Sequence, residues 1–327
     1  MRVDITRSVP FERPLLELEA EIAELEEFTS SRGIDRTAEI AQLRARHREL
    51  LEKIYASLTP WDRVLLARHP ARPYTLDYVP LVFDEFLELR GDRCSGDDRA
   101  TVAGLARLDG RPVALIGHQK GRNLKERQMR NFGSAGPQGY RKAVRVMKLA
   151  ERFGRPVVCI IDTPAAESRE EAEARGIAGA IAESMATMSA LQAPIVVVVI
   201  GEGGSGGAIA IGVGDRIIML ENSIYSVIPP EGCAAILSTF GMDASKAPQA
   251  AQVLKLGAQE ALELGVVDEV LPEPLGGAHR DLPEMAARIK RALVTKLEEL
   301  SSMPQQELLE SRYQKFRRMG KFLESSG

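Results

Sequence analysis

Ile195-Val-Val-Val-Val-Ile200, then Gly201-Glu-Gly-Gly-Ser-Gly-Gly207, then Ala208-Ile-Ala-Ile211 follow one another in the chain. Six apolar residues, mostly β-branched, predict a strand buried on both faces. The glycine run predicts a turn and the small apolar residues after it a helix, so the segment reads strand, glycine turn, helix. Glycine lets backbone approach a ligand without side-chain obstruction, and the first amides of a helix point outward with the positive end of its dipole behind them. Amides fixed there stabilise charge that develops on an oxygen with little reorganisation, each donor being worth about 3–4 kcal/mol. Gly206 and Gly207 are the candidate donors, with Gly203, Gly204 and Ser205 as lining. Close helix–strand packing explains such glycines equally well.

Outward from this point the chain keeps an α/β grammar. Segments 102–108 and 112–116 flank Asp109-Gly110, a hairpin signal for two antiparallel strands. A helix at 137–153 combines Val144, Met147 and Leu149 with a basic face of Arg145, Lys148 and Arg152, and leads into a strand at 157–161. A helix near 172–191 leads into 195–200, and a third unit ends in the strand 217–220. Pattern alone does not separate a stack of β-β-α units from a doubly wound sheet. Upstream, Leu15, Leu18, Ile22 and Leu25, then Ile40, Leu43, Leu50, Ile54 and Leu58, form two apolar seams broken at 30–33, a helical hairpin of coiled-coil character. Thr59-Pro60-Trp61-Asp62 opens a further helix. Downstream, Met285, Ile289, Leu293 and Leu297 share one side of a charged helix, expected to pack on a neighbouring subunit. Three regions result: 1–75, helical hairpin and linker; 76–282, α/β core; 283–327, helical segment.

Composition narrows the function classes. With 43 Lys+Arg against 46 Asp+Glu among 327 residues, the formal charge of −3 offers no global basic field for nucleic acid or anionic membrane. Cys94, Cys159 and Cys233 form no CxxC pair, so no metal site is expected and buried thiols in a reducing compartment are. Neither a signal peptide nor a membrane span is visible, which points to the cytoplasm. Two chemistries compete with an oxyanion site. Gly201, Gly203 and Gly206 satisfy GxGxxG after a strand, with Glu221 about 20 residues on, as in an NAD-linked oxidoreductase. That fingerprint usually opens the first βαβ unit, and here its helix must stop before Gly212. Ser205 invites a nucleophilic role, but the flanking pattern is not GxSxG and a base is required, while the histidines are only His47, His69, His118 and His279.

The chain also resembles the carboxyltransferase alpha subunits of bacterial-type acetyl-CoA carboxylase. The likeness rests on Leu89-Arg-Gly-Asp-Arg93, Gly117-His-Gln-Lys-Gly-Arg122, Arg130-Asn-Phe-Gly133, Gly139-Tyr-Arg-Lys-Ala143, Met147-Lys-Leu-Ala-Glu151, Asp162-Thr-Pro164, Val199-Ile-Gly-Glu-Gly-Gly-Ser-Gly-Gly-Ala208, Gly212-Val-Gly-Asp215, Tyr225-Ser-Val227, Pro230-Glu-Gly-Cys233 and Pro272-Glu-Pro-Leu-Gly-Gly-Ala-His-Arg-Asp281. It implies a crotonase-like β-β-α superhelix, and a zinc-ribbon beta subunit in an alpha2-beta2 assembly. It also implies that biotin rides on a separate carrier protein, so this chain holds no metal and no covalent cofactor. In the implied reaction carboxybiotin releases CO2, its ureido group takes a proton from acetyl-CoA, and the enolate attacks CO2 to give malonyl-CoA for fatty acid synthesis. No protein base is needed, and Gly206 and Gly207 would stabilise the ureido oxyanion. Arg122 and Lys125, within the basic stretch 120–130, and Tyr140 with Arg141 are candidates for contact with CoA or a partner.

One segment departs from the resemblance. After Asp162-Thr-Pro164 the family continues with glycines, a tyrosine and a proline in a loop, whereas here the chain reads Ala165-Ala-Glu-Ser-Arg-Glu-Glu171. High helix propensity behind a proline predicts a helix over 165–171. A changed pocket wall leaves a different acyl-CoA substrate, or a catalytically silent subunit, as alternatives.

Overall fold

The computed structural model describes residues 9–32 and 35–320. Its elements are α1 (Arg13–Arg32), α2 (Thr37–Ala56), α3 (Pro60–Ala67), α4 (Thr75–Val82), β1 (Glu85–Glu88), β2 (Thr101–Leu108), β3 (Arg111–His118), α5 (Leu124–Met129), α6 (Pro137–Arg152), β4 (Val157–Thr163), α7 (Glu170–Ala174), α8 (Ile177–Ala190), β5 (Ile195–Gly204), α9 (Ser205–Ile209), β6 (Arg216–Leu220), β7 (Ile224–Ser226), α10 (Pro230–Ile236), α11 (Ala247–Leu254), α12 (Ala258–Glu263), β8 (Glu269–Leu271), α13 (Leu282–Ser301) and α14 (Gln305–Arg317). The expected hairpin is α1 and α2, although Gly33 at its break lies outside the described residues. Thr59 caps α3 reciprocally with Asp62.

One eight-stranded sheet runs in the order β1-β2-β3-β4-β5-β6-β8, with β7 paired to β5 off this path. Its first three strands are antiparallel, β2 and β3 turning through Asp109 and Gly110, both at positive φ as a two-residue hairpin requires. From β3 to β8 the pairing is parallel. Alternate side chains feed two cores. Ile116, Cys159, Ile161, Val197, Val199 and Met219 face α6 and α8, while Leu115, Val158, Ile160, Val198, Ile200 and Ile218 face α4 and α13. Burial on both faces is why the central strands read as unbroken apolar runs.

The ten-residue β5 serves two layers. Its first half, Val196 to Val199, lies between β4 and β6, whereas Glu202, Gly203 and Gly204 pair with β7. Gly203 and Gly204 therefore extend a strand rather than turn, which corrects the expected glycine turn. The turn is a single residue, Ser205, at φ +48°. Between the halves the register with β4 jumps from Ile161↔Val199 to Thr163↔Gly203, so 200–202 form a bulge.

Three further expectations change. Residues 164–169 form no helix, and α7 begins only at Glu170. The Glu167 amide donates to the Ala135 carbonyl at 2.9 Å, so tertiary contact outweighs local propensity. The side of α13 carrying Met285, Ile289, Leu293 and Leu297 packs on this chain's own sheet and not on a neighbour. Cys159 and Cys233 are buried as expected, but Cys94 is exposed.

A buried guanidinium ties α14 to the core. Arg312 in α14 meets both Asp215 oxygens at 2.8 Å and donates to the carbonyls of Met188, Leu191 and Ala193. Removing one partner of a buried pair leaves an uncompensated charge, at a cost of about 3–5 kcal/mol. Arg312→Ala is accordingly expected to lower the unfolding free energy by about that amount in urea titration, and a change under 1 kcal/mol would show that Asp215 does not depend on it.

Candidate functional site

The carboxyl ends of β3, β4 and β5 converge, and each bears a charged residue: Lys120, Asp162 and Glu202. The bulge explains why. A bulge removes backbone groups from the ladder, and buried ones need other partners. Here side chains take that role: Arg72 donates from Nε to the Ile200 carbonyl at 2.8 Å, and the Glu202 amide donates to Asp162 Oδ1 at 2.9 Å. Arg72 is itself held by Glu273 at 2.5 and 3.0 Å. Lys120 Nζ bridges Asp162 Oδ1 at 2.7 Å and Glu202 Oε1 at 2.8 Å, and Arg68 spans from Glu202 Oε2 to Glu231, both at 2.6 Å.

The ionisation of this cluster follows from its burial. Burial pushes the Glu202 carboxyl up, but Lys120 and Arg68 outweigh that and hold it below the usual range. At Asp162 burial prevails over Lys120, and the carboxyl lies above its usual range. Burial pushes the Lys120 ammonium down, yet the two carboxylates hold it firmly charged. His118, with no hydrogen-bond partner at either ring nitrogen, is driven down to about 3 by burial and by Lys120, so it is neutral.

Past the cluster, backbone packs on backbone. A Cβ on Gly204 would overlap the Pro164 carbonyl, and one on Gly207 would lie 2.8 Å from the backbone of both Ala165 and Ala166. Five-residue α9 leaves its first-turn amides without intrahelical acceptors, and among the described residues no bond from outside the helix reaches the amides of Gly206 and Gly207. A positive φ on Ser205, uncommon for a residue with a side chain, is what aims them.

Of the other sequence candidates, Arg122 is a clamp: it donates to the carbonyls of Pro70 and Arg72 at 2.9 Å, pairs with Asp77 and stacks 3.9 Å above Tyr74. Lys125 is exposed on α5. Tyr140 is fully buried in the core under α6 and offers a ligand no surface, a correction to its candidacy. Arg141 is engaged by Asp92, Ser95 and the Arg175 carbonyl. Lys120 does not belong to the solvated basic stretch, being buried at the site. A cleft of about 190 Å³ opens over Arg68, Tyr74, Lys120, Arg127, Phe132 and Glu202, and a larger one of about 510 Å³ lies on the side of Asp98, Asn131, Glu167 and Arg169.

Neither competing chemistry finds its parts. His47 and His69 bond to Glu19 and Glu12, His279 to Glu12, and His118 is isolated, so no imidazole serves Ser205 as a base. A five-residue α9 is too short for a dinucleotide-binding crossover. Glu12, His69 and His279 do gather three ligand atoms. However, His69 Nδ1 accepts the Ala71 amide at 3.2 Å, which leaves the ring proton on Nε2 facing Glu12. Arg280 adds a positive charge 3.5 Å from the same carboxylate, and the trio fits a hydrogen-bonded latch better than a metal.

The sequence carries this assignment further. Residues 8–320 match the model of the "Acetyl co-enzyme A carboxylase carboxyltransferase-like" family. The chain belongs to that family. Relatives named acetyl-coenzyme A carboxylase carboxyl transferase subunit alpha include those of Geobacillus sp. (strain WCH70), 53% identical with 95% of each chain covered, and of Geobacter metallireducens, 51% identical with 96% of this chain and 98% of the relative covered. Solved structures of similar fold include transcarboxylase 12S, with a TM-score of 0.58 at 18% identity over 72% of this chain and 43% of that one. The Pseudomonas malonate decarboxylase MdcD-MdcE heterodimer gives 0.56 at 19% over 74% and 97%. The fold is thus the crotonase-like one. The family is one of transferases. Among the described residues no helix is long and apolar enough to cross a membrane.

Sequence reasoning missed Arg68, Arg72, Asp162 and Glu202 as a connected set. The available signal was a charged residue at the carboxyl end of each of three successive apolar strands, where α/β sheets build their sites.

The latch gives a pH test. Burial raises the Glu12 carboxyl, but hydrogen bonds from His279 and His69 outweigh it and leave it well below the usual range. A depressed carboxyl adds stability above its unfolded pKa and loses it as pH falls towards the folded one. Between pH 5 and 3 wild type should lose unfolding free energy more steeply than Glu12→Gln; parallel slopes in urea titrations would contradict it.

Proposed function

We propose that this chain is the alpha subunit of an acetyl-CoA carboxylase carboxyltransferase, transferring the carboxyl group of carboxybiotin to acetyl-CoA to give malonyl-CoA. What carries the proposal at the site is the pair of unbonded amides at Gly206 and Gly207, held by backbone contact with 164–166. Carboxybiotin, delivered on a biotin carboxyl carrier protein, supplies both the CO2 and, once decarboxylated, the basic ureido group. This chain then needs no base of its own, which agrees with histidines that are all engaged or isolated. Its contribution is a preorganised pair of N–H donors for the ureido oxyanion beside a cluster in which Lys120 and Arg68 are already engaged by carboxylates. An alpha subunit acts with a beta subunit. We assign that partner a zinc ribbon and the oxyanion hole for the acetyl-CoA enolate, and the assembly an alpha2-beta2 composition in the cytoplasm. Lys125, exposed beside the Arg122 clamp, remains our candidate for contact with CoA phosphates.

The glycines separate the amide role from mere packing. A methyl on Gly206 meets Ile181 Cδ1 at 3.3 Å and the Ala166 Cβ at 4.0 Å, side-chain atoms that can yield, whereas one on Gly207 meets fixed backbone. In the complex with its beta subunit, Gly206→Ala should retain malonyl-CoA formation within about tenfold. Gly207→Ala and the bulkier Gly206→Val should each lower kcat about 10²–10³-fold, as loss of an oxyanion donor does. Full activity of Gly206→Val in an assembled complex would rule the amide pair out.

A further inference from the structure

We propose that Lys120 is a positioning residue for the oxyanion amides, acting through Asp162 and the bulge of β5 without touching substrate. This rests on the assignment of Gly206 and Gly207 made above. Lys120 leaves the end of β3 and has one short bond to β4, at Asp162, and one to β5, at Glu202. Asp162 passes the constraint on by accepting the Glu202 amide from the same oxygen, Oδ1, that takes the lysine. Glu202 is the last bulge residue and pairs with Ile224, and Gly203 with Tyr225, so the direction of 203–207 is set where the lysine acts. The next residues of β4 then lie against Gly204 and Gly207. A single ammonium therefore fixes both strands that form the walls of the amide site.

The charge balance makes this testable apart from folding. Around Asp162 stand Lys120 from the end of β3, Glu202 on β5, Arg72 beyond α3 and Tyr78 on α4, while Arg68 and Glu231 bear on Glu202. Arg72 is taken up by Glu273, and Arg68 by Glu202 and Glu231. Among the described residues Lys120 alone directly pairs Asp162. Without it, Asp162 faces the Glu202 carboxylate in a buried site. The protonated acid still offers Oδ1 to the Glu202 amide, whereas the ionised form repels Glu202 and opens the bulge. Removal of the lysine thus makes a fixed site pH-dependent, with the open form at the higher pH.

The experiment uses the full chain assembled with its beta subunit and reads hydrogen exchange of the peptide 199–209, together with kcat and KM, from pH 6 to 9. Wild type and Lys120→Arg should give constant protection after correction for intrinsic exchange. Lys120→Met should be near wild type at pH 6 and lose protection at least tenfold by pH 9, with kcat falling in parallel and KM for acetyl-CoA within about threefold. Adding Asp162→Asn to Lys120→Met, which removes the titrating charge and keeps the acceptor, should abolish the pH dependence and return kcat to within tenfold of wild type. Protection in Lys120→Met equal to wild type throughout, or a loss independent of pH that the double variant does not recover, overturns the proposal. Should Lys120→Met fail to assemble, the double variant decides alone: constant protection near wild type supports the role and lost protection ends it. An inactive wild-type complex would count against the transferase assignment, while the exchange data would still decide whether Lys120 sets this segment.

Discussion

The site depends on the misfit between β4 and β5. The two strands run in register from Val157↔Ile195 to Ile161↔Val199 and resume at Thr163↔Gly203, so β5 contributes two more residues than β4 to the interval. The excess sits in the buried interior, where an unpaired amide or carbonyl costs about 1–3 kcal/mol. Side chains supply bonds there: Arg72 to the Ile200 carbonyl and Asp162 to the Glu202 amide. Each is itself a buried charge and needs its own counter-charge, which is why Glu273 and Lys120 are buried with them. The polar residues of the interior are thus linked in sequence: bulge, then bonding side chain, then counter-ion.

That linkage accounts for the density of charge beneath a segment composed almost wholly of glycine. Buried ion pairs are poor sources of net stability, since desolvation offsets their attraction. Their effect here is geometric, because a strand end tied by four charged contacts cannot slide along its neighbour. An oxyanion site has value only if its donors are in place before charge appears. The two apolar layers, α6 with α8 and α4 with α13, supply the favourable free energy, and the charged cluster fixes the one place where the ladder fails.

Strands and helices were legible in the sequence because they follow from side-chain periodicity: β2 to β6 and α6 lie within a few residues of expectation, while the helix expected near 172–191 and the helical stretch from 283 are each divided in two. The Asp109-Gly110 hairpin and the Thr59 cap were legible because their chemistry is local. What escaped was long-range. Nothing near Lys120 announces partners 42 and 82 residues away, and a lysine two residues past a strand reads as solvated until two carboxylates are seen to enclose it. The helix expected over 165–171 failed for the same reason, since propensity is worth tenths of a kcal/mol per residue and the bond from Glu167 to the Ala135 carbonyl comes from the tertiary fold. Tyr140 drew notice through its basic neighbours, but its face of α6 is the apolar one.

The same geometry explains how segment 165–171 can differ from the pattern it resembles without disturbing the amides. What meets Gly204 and Gly207 is the main chain of 164–166: the Pro164 carbonyl, and the backbone of Ala165 and Ala166. Main-chain atoms are common to every residue type, so the contact specifies a path for the chain and places little demand on side chains beyond small size at 166, whose Cβ lies 4.0 Å from a methyl on Gly206. The path is enforced from outside the segment, by the Thr163 hydroxyl, whose one proton lies between the carbonyls of Gly133 and Ala165, and by Asn131 meeting Glu167 and Arg169. Side chains from 167 onward face the 510 Å³ cleft, where Glu167 and Arg169 pair with each other. Variation in this segment therefore falls on the cleft wall, which bears on what is bound, and is kept away from the backbone contact that fixes the donors.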